Sequence, residues 1–221
     1  MSKTVVITGA NRGIGFAFAN LYKSRGEHVI ALCRQSSSQL DELNVRVVEG
    51  VDVSTEQGLD IMVQALANLR IDILVNNAGI LRDETLSDFN TQTITEQFLV
   101  NAIAPIQVCQ KLQNNLHAGS KIGLVTSRMG SITDNTSGGR YGYRMSKAAL
   151  NIAAVSLAKD LTEKDVAVGI YHPGYVQTDM VNHGGDISAN EAANRLIGLM
   201  DKLSMDNSGV FYHSNGEVLP W

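Results

Sequence analysis

The chain has 221 residues, 44% of them hydrophobic, with 18 basic and 22 acidic side chains and a net charge of −4. That size suits one α/β domain, 1–221, with a core on both sides of a sheet, and the mild acidity without a basic run argues against a nucleic-acid partner. No apolar run approaches the roughly 20 residues that span a bilayer, so no membrane partner is expected, and the two cysteines, Cys33 and Cys109, lack metal-ligand spacing and read as free thiols of a cytoplasmic protein.

The chain enters a strand almost at once, Thr4–Thr8, so no signal peptide is expected. Gly9-Ala10-Asn11-Arg12-Gly13-Ile14-Gly15 follows, and a helix is predicted from about Gly13 to Lys23. Glycines let the backbone turn sharply and let a ligand come close. The helix N-terminus behind them offers free N–H groups and a positive dipole end, a seat for a phosphate or pyrophosphate. The spacing G-x-x-x-G-x-G differs from the general G-x-G-x-x-G fingerprint, and a merely tight turn is the competing reading.

Gly26 ends the helix, and His28–Cys33 reads as the second strand. A dinucleotide site for NAD places an acid here to bond the ribose. This chain has Cys33 and then Arg34, and Arg12 sits inside the glycine turn. Two guanidinium groups could clasp a 2′-phosphate that a carboxylate would repel. The pattern predicts NADP(H), against the plainer reading of Arg12 and Arg34 as surface charges. Ser36, Ser37 and Ser38 could bond the same phosphate or simply occupy a loop.

Val45–Glu49 is a predicted third strand. Asp52, with Val53 beside it, could receive the adenine amino group or begin the next helix, about Thr55–Asn68. Ile71–Val75 is a strand buried on both faces, ending in Asn76-Asn77-Ala78-Gly79. Those small residues allow close approach to a cofactor ribose, and the asparagines can tie strand ends together. Asp83–Asn90 reads as a loop, then a long helix from about Thr91 to Asn115, bent near Pro105, with polar Asn101 inside it. Lys121–Thr126 is a fifth strand that delivers Ser127 at its C-terminal end, where ligands of open α/β sheets collect.

Arg128–Arg140 reads as a loop over the site. A helix from Tyr141 to about Glu163 places Tyr143 and Lys147, four apart, on one face. Val166–Tyr171 is a sixth strand, followed by Pro173-Gly174-Tyr175-Val176-Gln177-Thr178, a helix over Ala189–Leu203 and a strand Gly209–Tyr212.

Four motifs in order, Thr8–Gly15, Asn76–Gly79, Tyr143 with Lys147, and Pro173-Gly174 with Thr178, resemble the short-chain dehydrogenase/reductase family along essentially the whole chain. Gly130–Ile132, Asp134–Gly139, Tyr143–Asn151 and the tail Gly216–Trp221 resemble its branch of C-factor and sniffer-type carbonyl reductases. The resemblance implies a Rossmann-type doubly wound, mainly parallel sheet with helices on both faces, acting on a ketone or aldehyde (or, in reverse, an alcohol). Tyr143 would be the acid/base, Lys147 would lower its pKa and hold the ribose, Ser127 would bond the substrate oxygen, and Asn101 would support a water. The cofactor is expected on Gly9, Asn11, Arg12, Gly13, Ile14, Gly15, Arg34, Asp52, Val53, Asn77, Ala78, Gly79, Tyr143, Lys147, Pro173, Gly174, Val176 and Thr178. Counting back from Tyr143 by the family's common interval lands at Gly130, beside Ser131, which makes Ser131 the rival to Ser127. No metal is expected. The long helices imply a homodimer or homotetramer. A dinucleotide-binding regulatory protein of C-factor type, with little turnover, is the alternative function. The segment after Thr178 is short, which suggests an open pocket walled by Met129, Ile132, Tyr175 and Met180.

Overall fold

The computed structural model describes residues 2–221. In chain order its elements are β1 (Thr4–Thr8), α1 (Gly13–Ser24), β2 (His28–Leu32), α2 (Ser38–Glu42), β3 (Arg46–Val48), α3 (Glu56–Ala65) and β4 (Ile71–Asn76). There follow α4 (Thr91–Phe98), α5 (Ala104–Lys111), β5 (Leu116–Val125), α6 (Tyr141–Asp160), β6 (Ala167–His172), β7 (Val176–Gln177), β8 (Ile187–Ser188), α7 (Ala189–Lys202) and β9 (Phe211–His213).

Seven strands form one sheet in the order β3-β2-β1-β4-β5-β6-β9, every neighbour parallel. Successive side chains of a strand face opposite ways. In β1, Val5 and Ile7 join Phe18 and Tyr22 of α1 and Leu196 and Ile197 of α7. Val6 joins the other layer, with Leu59 and Met62 of α3, Val108 of α5 and Leu150 of α6. Two apolar layers therefore close the sheet, which explains why its strands lack polar alternation. The strand order reverses between β1 and β4, so the connections that leave Thr8 and Asn76 part to opposite sides of the sheet and open a crevice.

The expected long helix from Thr91 to Asn115 is interrupted. Leu99–Ile103 forms a wide π turn between α4 and α5. Pro105 has no N–H to give the Asn101 carbonyl, so regular α-helical bonding fails there and the wider turn absorbs the fault. β5 begins at Leu116, earlier than expected, because a register shift lets Ile71 pair with Leu116 and Ile73 with Lys121. The helix expected to reach Glu163 ends at Asp160, and a 3-10 turn, Thr162–Lys164, carries the chain to left-handed Asp165. The helix expected over Thr55–Asn68 is shorter at both ends, with Thr55 as its cap, its side chain accepting from Gly58 N–H. Helix α2 and the β7–β8 pair were not foreseen; each is five residues or fewer and carries no periodicity to read.

Candidate active site

A cleft of about 620 Å³ opens at the β1/β4 crevice, a size typical of small-molecule sites. Its wall includes Gly9, Asn11, Arg12, Gly13, Ile14, Arg34, Asp52, Val53, Asn77, Ala78, Gly79, Tyr143, Lys147, Pro173 and Thr178. Sequence reading placed all of these there. Three predicted cofactor residues stand behind the wall. Gly15 is a packing glycine: a Cβ on it would lie 2.1 Å from the Gly9 carbonyl oxygen. Gly174, at φ +96, turns the chain, and buried Val176 belongs to β7.

Backbone hydrogen bonding shapes the glycine turn. Thr8 Oγ1 accepts from the N–H groups of Asn77 (3.0 Å) and Ala78 (3.1 Å). Asn77 Nδ2 returns bonds to the carbonyls of Thr8 (3.1 Å) and Gly9 (3.2 Å). The two strand ends are thus bolted together at the crevice. Thr8 opens the first motif of the sequence, but the tie made by its hydroxyl was not read there, since a threonine closing a strand looks ordinary. Ser37, Thr55, Asn90 and Ser188 cap their helices through side-chain oxygens, but α1 has no side-chain cap and no acid in its first turn. Its free N–H groups, with Gly13 and Ile14 in the wall, suit a pyrophosphate.

Arg12 and Arg34 stand exposed on the rim. Arg12 lies 3.4 Å from Asp179, and Arg34 lies 4.0 Å from Asp52. Asp52 also accepts from Ser54 N–H (3.0 Å) and Ser54 Oγ (2.6 Å). It therefore closes the turn that precedes α3, whose cap is Thr55 and not Asp52, while still facing the cleft. Two of the three serines after β2 are engaged within the protein. Ser37 donates to the Asn11 carbonyl and caps α2, and Ser36 Oγ bonds Asp41.

Tyr143 and Lys147 lie on the buried side of α6, with Lys147 Nζ 5.7 Å from the Tyr143 ring centre. Lys147 is 4% exposed. Burial pushes its amine down to about 8. Nζ spends one of its three donors on the Val125 carbonyl, at 3.0 Å. Burial pushes the Tyr143 phenol up, partly offset by the Ser127 hydroxyl beside it and by the Arg140 charge. Desolvation is the largest influence on this phenol, and Ser127 and Arg140 oppose it.

Ser127 and Ser131 are both buried but do different work. Ser127 follows β5 beside Tyr143. Its Oγ accepts from Met129 N–H (3.1 Å), so its own O–H stays free to donate. Ser131 Oγ accepts from Asp134 N–H (3.0 Å) and stabilises the loop. A Cβ on Gly130 would lie 2.7 Å from the Lys147 carbonyl carbon, so the 128–130 turn presses on α6 and leaves no room for a serine. Asn101, fully buried in the π turn, accepts from Ile80 N–H (2.8 Å) and donates to the Ile80 carbonyl (2.8 Å) and Ser146 Oγ (3.1 Å). Its side chain is occupied by these protein partners.

Burial raises the thiol pKa of Cys33 to about 11 and of Cys109 to about 12, so neither is a nucleophile near neutrality. Among the described residues no group of acidic, histidine or cysteine side chains could hold a metal, and no helix is long and apolar enough to cross a membrane.

This is an open, parallel α/β sheet with a glycine turn and a Tyr/Lys pair at one crevice. The family model described as short chain dehydrogenase matches residues 3–186, and the chain belongs to that family. It is 34% identical over 224 residues to 1-hydroxy-2-glutathionyl-2-methyl-3-butene dehydrogenase of Rhodococcus sp. (strain AD45), covering 99% of each chain. It is 37% identical over 154 residues to C-signal of Myxococcus xanthus, covering 68% of this chain and 93% of that one. Among solved structures, NADPH-bound carbonyl reductase from chicken fatty liver superposes with a TM-score of 0.89 at 27% identity, covering 100% of this chain and 99% of that one. C-factor and carbonyl reductase relatives both match, the branch that the loop and tail motifs resemble.

Proposed function

We propose that this protein reduces a ketone or aldehyde with NADPH, Tyr143 giving the proton to the carbonyl oxygen. The observation that carries this is the meeting of Tyr143 and Lys147 at the crevice that holds the glycine turn, with the Ser127 hydroxyl beside Tyr143. NADPH, when bound, supplies the hydride. The residues do the rest. Burial keeps the Tyr143 phenol protonated through the neutral range, which fits an acid for reduction. The free O–H of Ser127 donates to the same substrate oxygen and stabilises its developing charge. The two unspent donors of Lys147 hold ribose hydroxyls. Arg12 and Arg34 exchange their carboxylate partners for a 2′-phosphate. The NADPH-bound neighbour supports this choice of cofactor.

The name of the Rhodococcus relative, with its hydroxyl on the terminal carbon 1, supports a primary alcohol or aldehyde as the reacting group. The name C-signal favours a second reading, in which dinucleotide binding serves regulation. The free O–H of Ser127 and the buried amine of Lys147 speak for turnover. We also propose a homo-oligomer, supported by exposed Leu99 and Ile103 on the π turn and Met145 and Ile152 on α6.

NADPH consumption over a panel of aldehydes and ketones tests the catalytic reading. Turnover of at least one compound is expected. Binding of NADPH with no turnover across the panel would transfer support to the regulatory reading.

A further inference from the structure

Glu84 lies in the polar stretch after Gly79 that reads as an ordinary surface loop, yet it is only 2% exposed. Its carboxylate accepts from Thr93 Oγ1 (2.6 Å) and Gln97 Nε2 (2.7 Å) of α4 through Oε1. Through Oε2 it accepts from Gly142 N–H (3.2 Å), in the first turn of α6. All three partners donate, so the group acts as an acceptor throughout. The Glu84 carbonyl accepts from Arg140 N–H (2.8 Å) as well.

The start of α6 needs this help. Its N-cap, Arg140, is left-handed at φ +50 and offers no side-chain cap. A carboxylate at a helix N-terminus satisfies an orphan N–H and opposes the positive dipole end. Gly142 sits so close to α4 that a Cβ on it would lie 2.4 Å from Gln97 Nε2. Gln97 Oε1 in turn accepts from Arg82 N–H (2.9 Å), and Asn101 holds both backbone groups of Ile80. The segment from Gly79 to Glu84 is therefore anchored along α4 and the π turn, and it ends on the turn that carries Tyr143.

We infer that Glu84 is a positioning residue for Tyr143: it caps α6 from another segment and sets that helix relative to the Asn77–Gly79 wall of the cleft. The inference rests on the catalytic reading for its effect on turnover, but not for its effect on α6. Glu84→Gln keeps the shape and replaces one acceptor oxygen with an amide donor, which must then face Gly142 N–H or the α4 donors. Thr93→Val removes one donor to the same carboxylate without touching α6, and serves as the control for lost stability.

Turnover with NADPH, NADPH affinity and amide hydrogen exchange are measured for both variants. For Glu84→Gln the expected result is a fall in kcat of about 10–100-fold, unchanged NADPH affinity, and faster exchange confined to 140–147. Thr93→Val should keep wild-type kcat. The inference is overturned if Glu84→Gln keeps wild-type kcat, or if Thr93→Val loses as much. If the wild-type protein turns over no carbonyl, the catalytic reading fails separately and exchange decides. Faster exchange at 140–147 alone supports Glu84 as the cap of α6, and unchanged or uniformly faster exchange overturns it.

Discussion

At Ser127 and Ser131, two buried hydroxyls a few residues apart have opposite assignments because their places differ. Each accepts from a nearby backbone N–H, but Ser127 lies beside Tyr143, whereas Ser131 stands past the 128–130 turn and braces the chain at Asp134. Ser127→Ala should lower kcat by about 10²–10³-fold, the usual cost of one oxyanion donor. Ser131→Ala should leave kcat near wild type and cost stability of about 1 kcal/mol. Steady-state kinetics on the two variants checks this. If Ser131→Ala is the damaging one, the strand-end assignment fails. Lys147 makes a prediction in pH. Its folded-state pKa is lowered, so its cation is present below about 8 and lost above it. Carbonyl reduction should therefore fall along an alkaline limb with an apparent pKa near 8, since burial raises the phenol of Tyr143. The sign for stability is opposite. The unfolded chain binds this proton more tightly, so the group's contribution to folding rises as pH climbs from about 8 towards 10.5. A profile flat to pH 10 would contradict both statements.

Elements were legible where a strong pattern wrote them. β1, the glycine turn and α1 could be read from an apolar run followed by glycines, and α6 from its length. The π turn was not legible, because Pro105 announces a disturbance but not whether the helix bends or widens. Asn101 was visible as a polar residue in an apolar stretch, yet its partner Ile80 lies in a loop with no periodicity. The capping serine of α2 shows the same limit: Ser37 looks like a phosphate ligand in sequence and proves to be local architecture. Between the end of β2 and the glycine turn, the cofactor preference has a direct test. Arg34→Asp should weaken NADPH by about tenfold or more, since it removes a charge-assisted bond worth roughly 1.5–3 kcal/mol, while NADH binding changes little. Equal weakening of both, measured by calorimetry, would refute the phosphate clasp.

Across the whole molecule, the parallel order of seven strands brings Thr8, Asn76, Val125 and His172 to one edge of the sheet. The site is a consequence of that edge. Residues far apart in sequence converge there because many of them follow or end a strand and α6 brings Tyr143 and Lys147 to the same edge, which is why a chain-order reading named many residues of the cleft wall. What it could not recover was side-chain geometry across elements, such as the buried carboxylate of Glu84 between α4 and α6. In the proposed reaction Tyr143 delivers a proton during NADPH-dependent carbonyl reduction. The most direct test compares wild type and Tyr143→Phe for NADPH binding and for NADPH consumption with a carbonyl that the wild type accepts. Equal binding is expected, with a loss of turnover of about 10²–10⁴-fold, the range for removing a general acid. Undiminished turnover in Tyr143→Phe would contradict it.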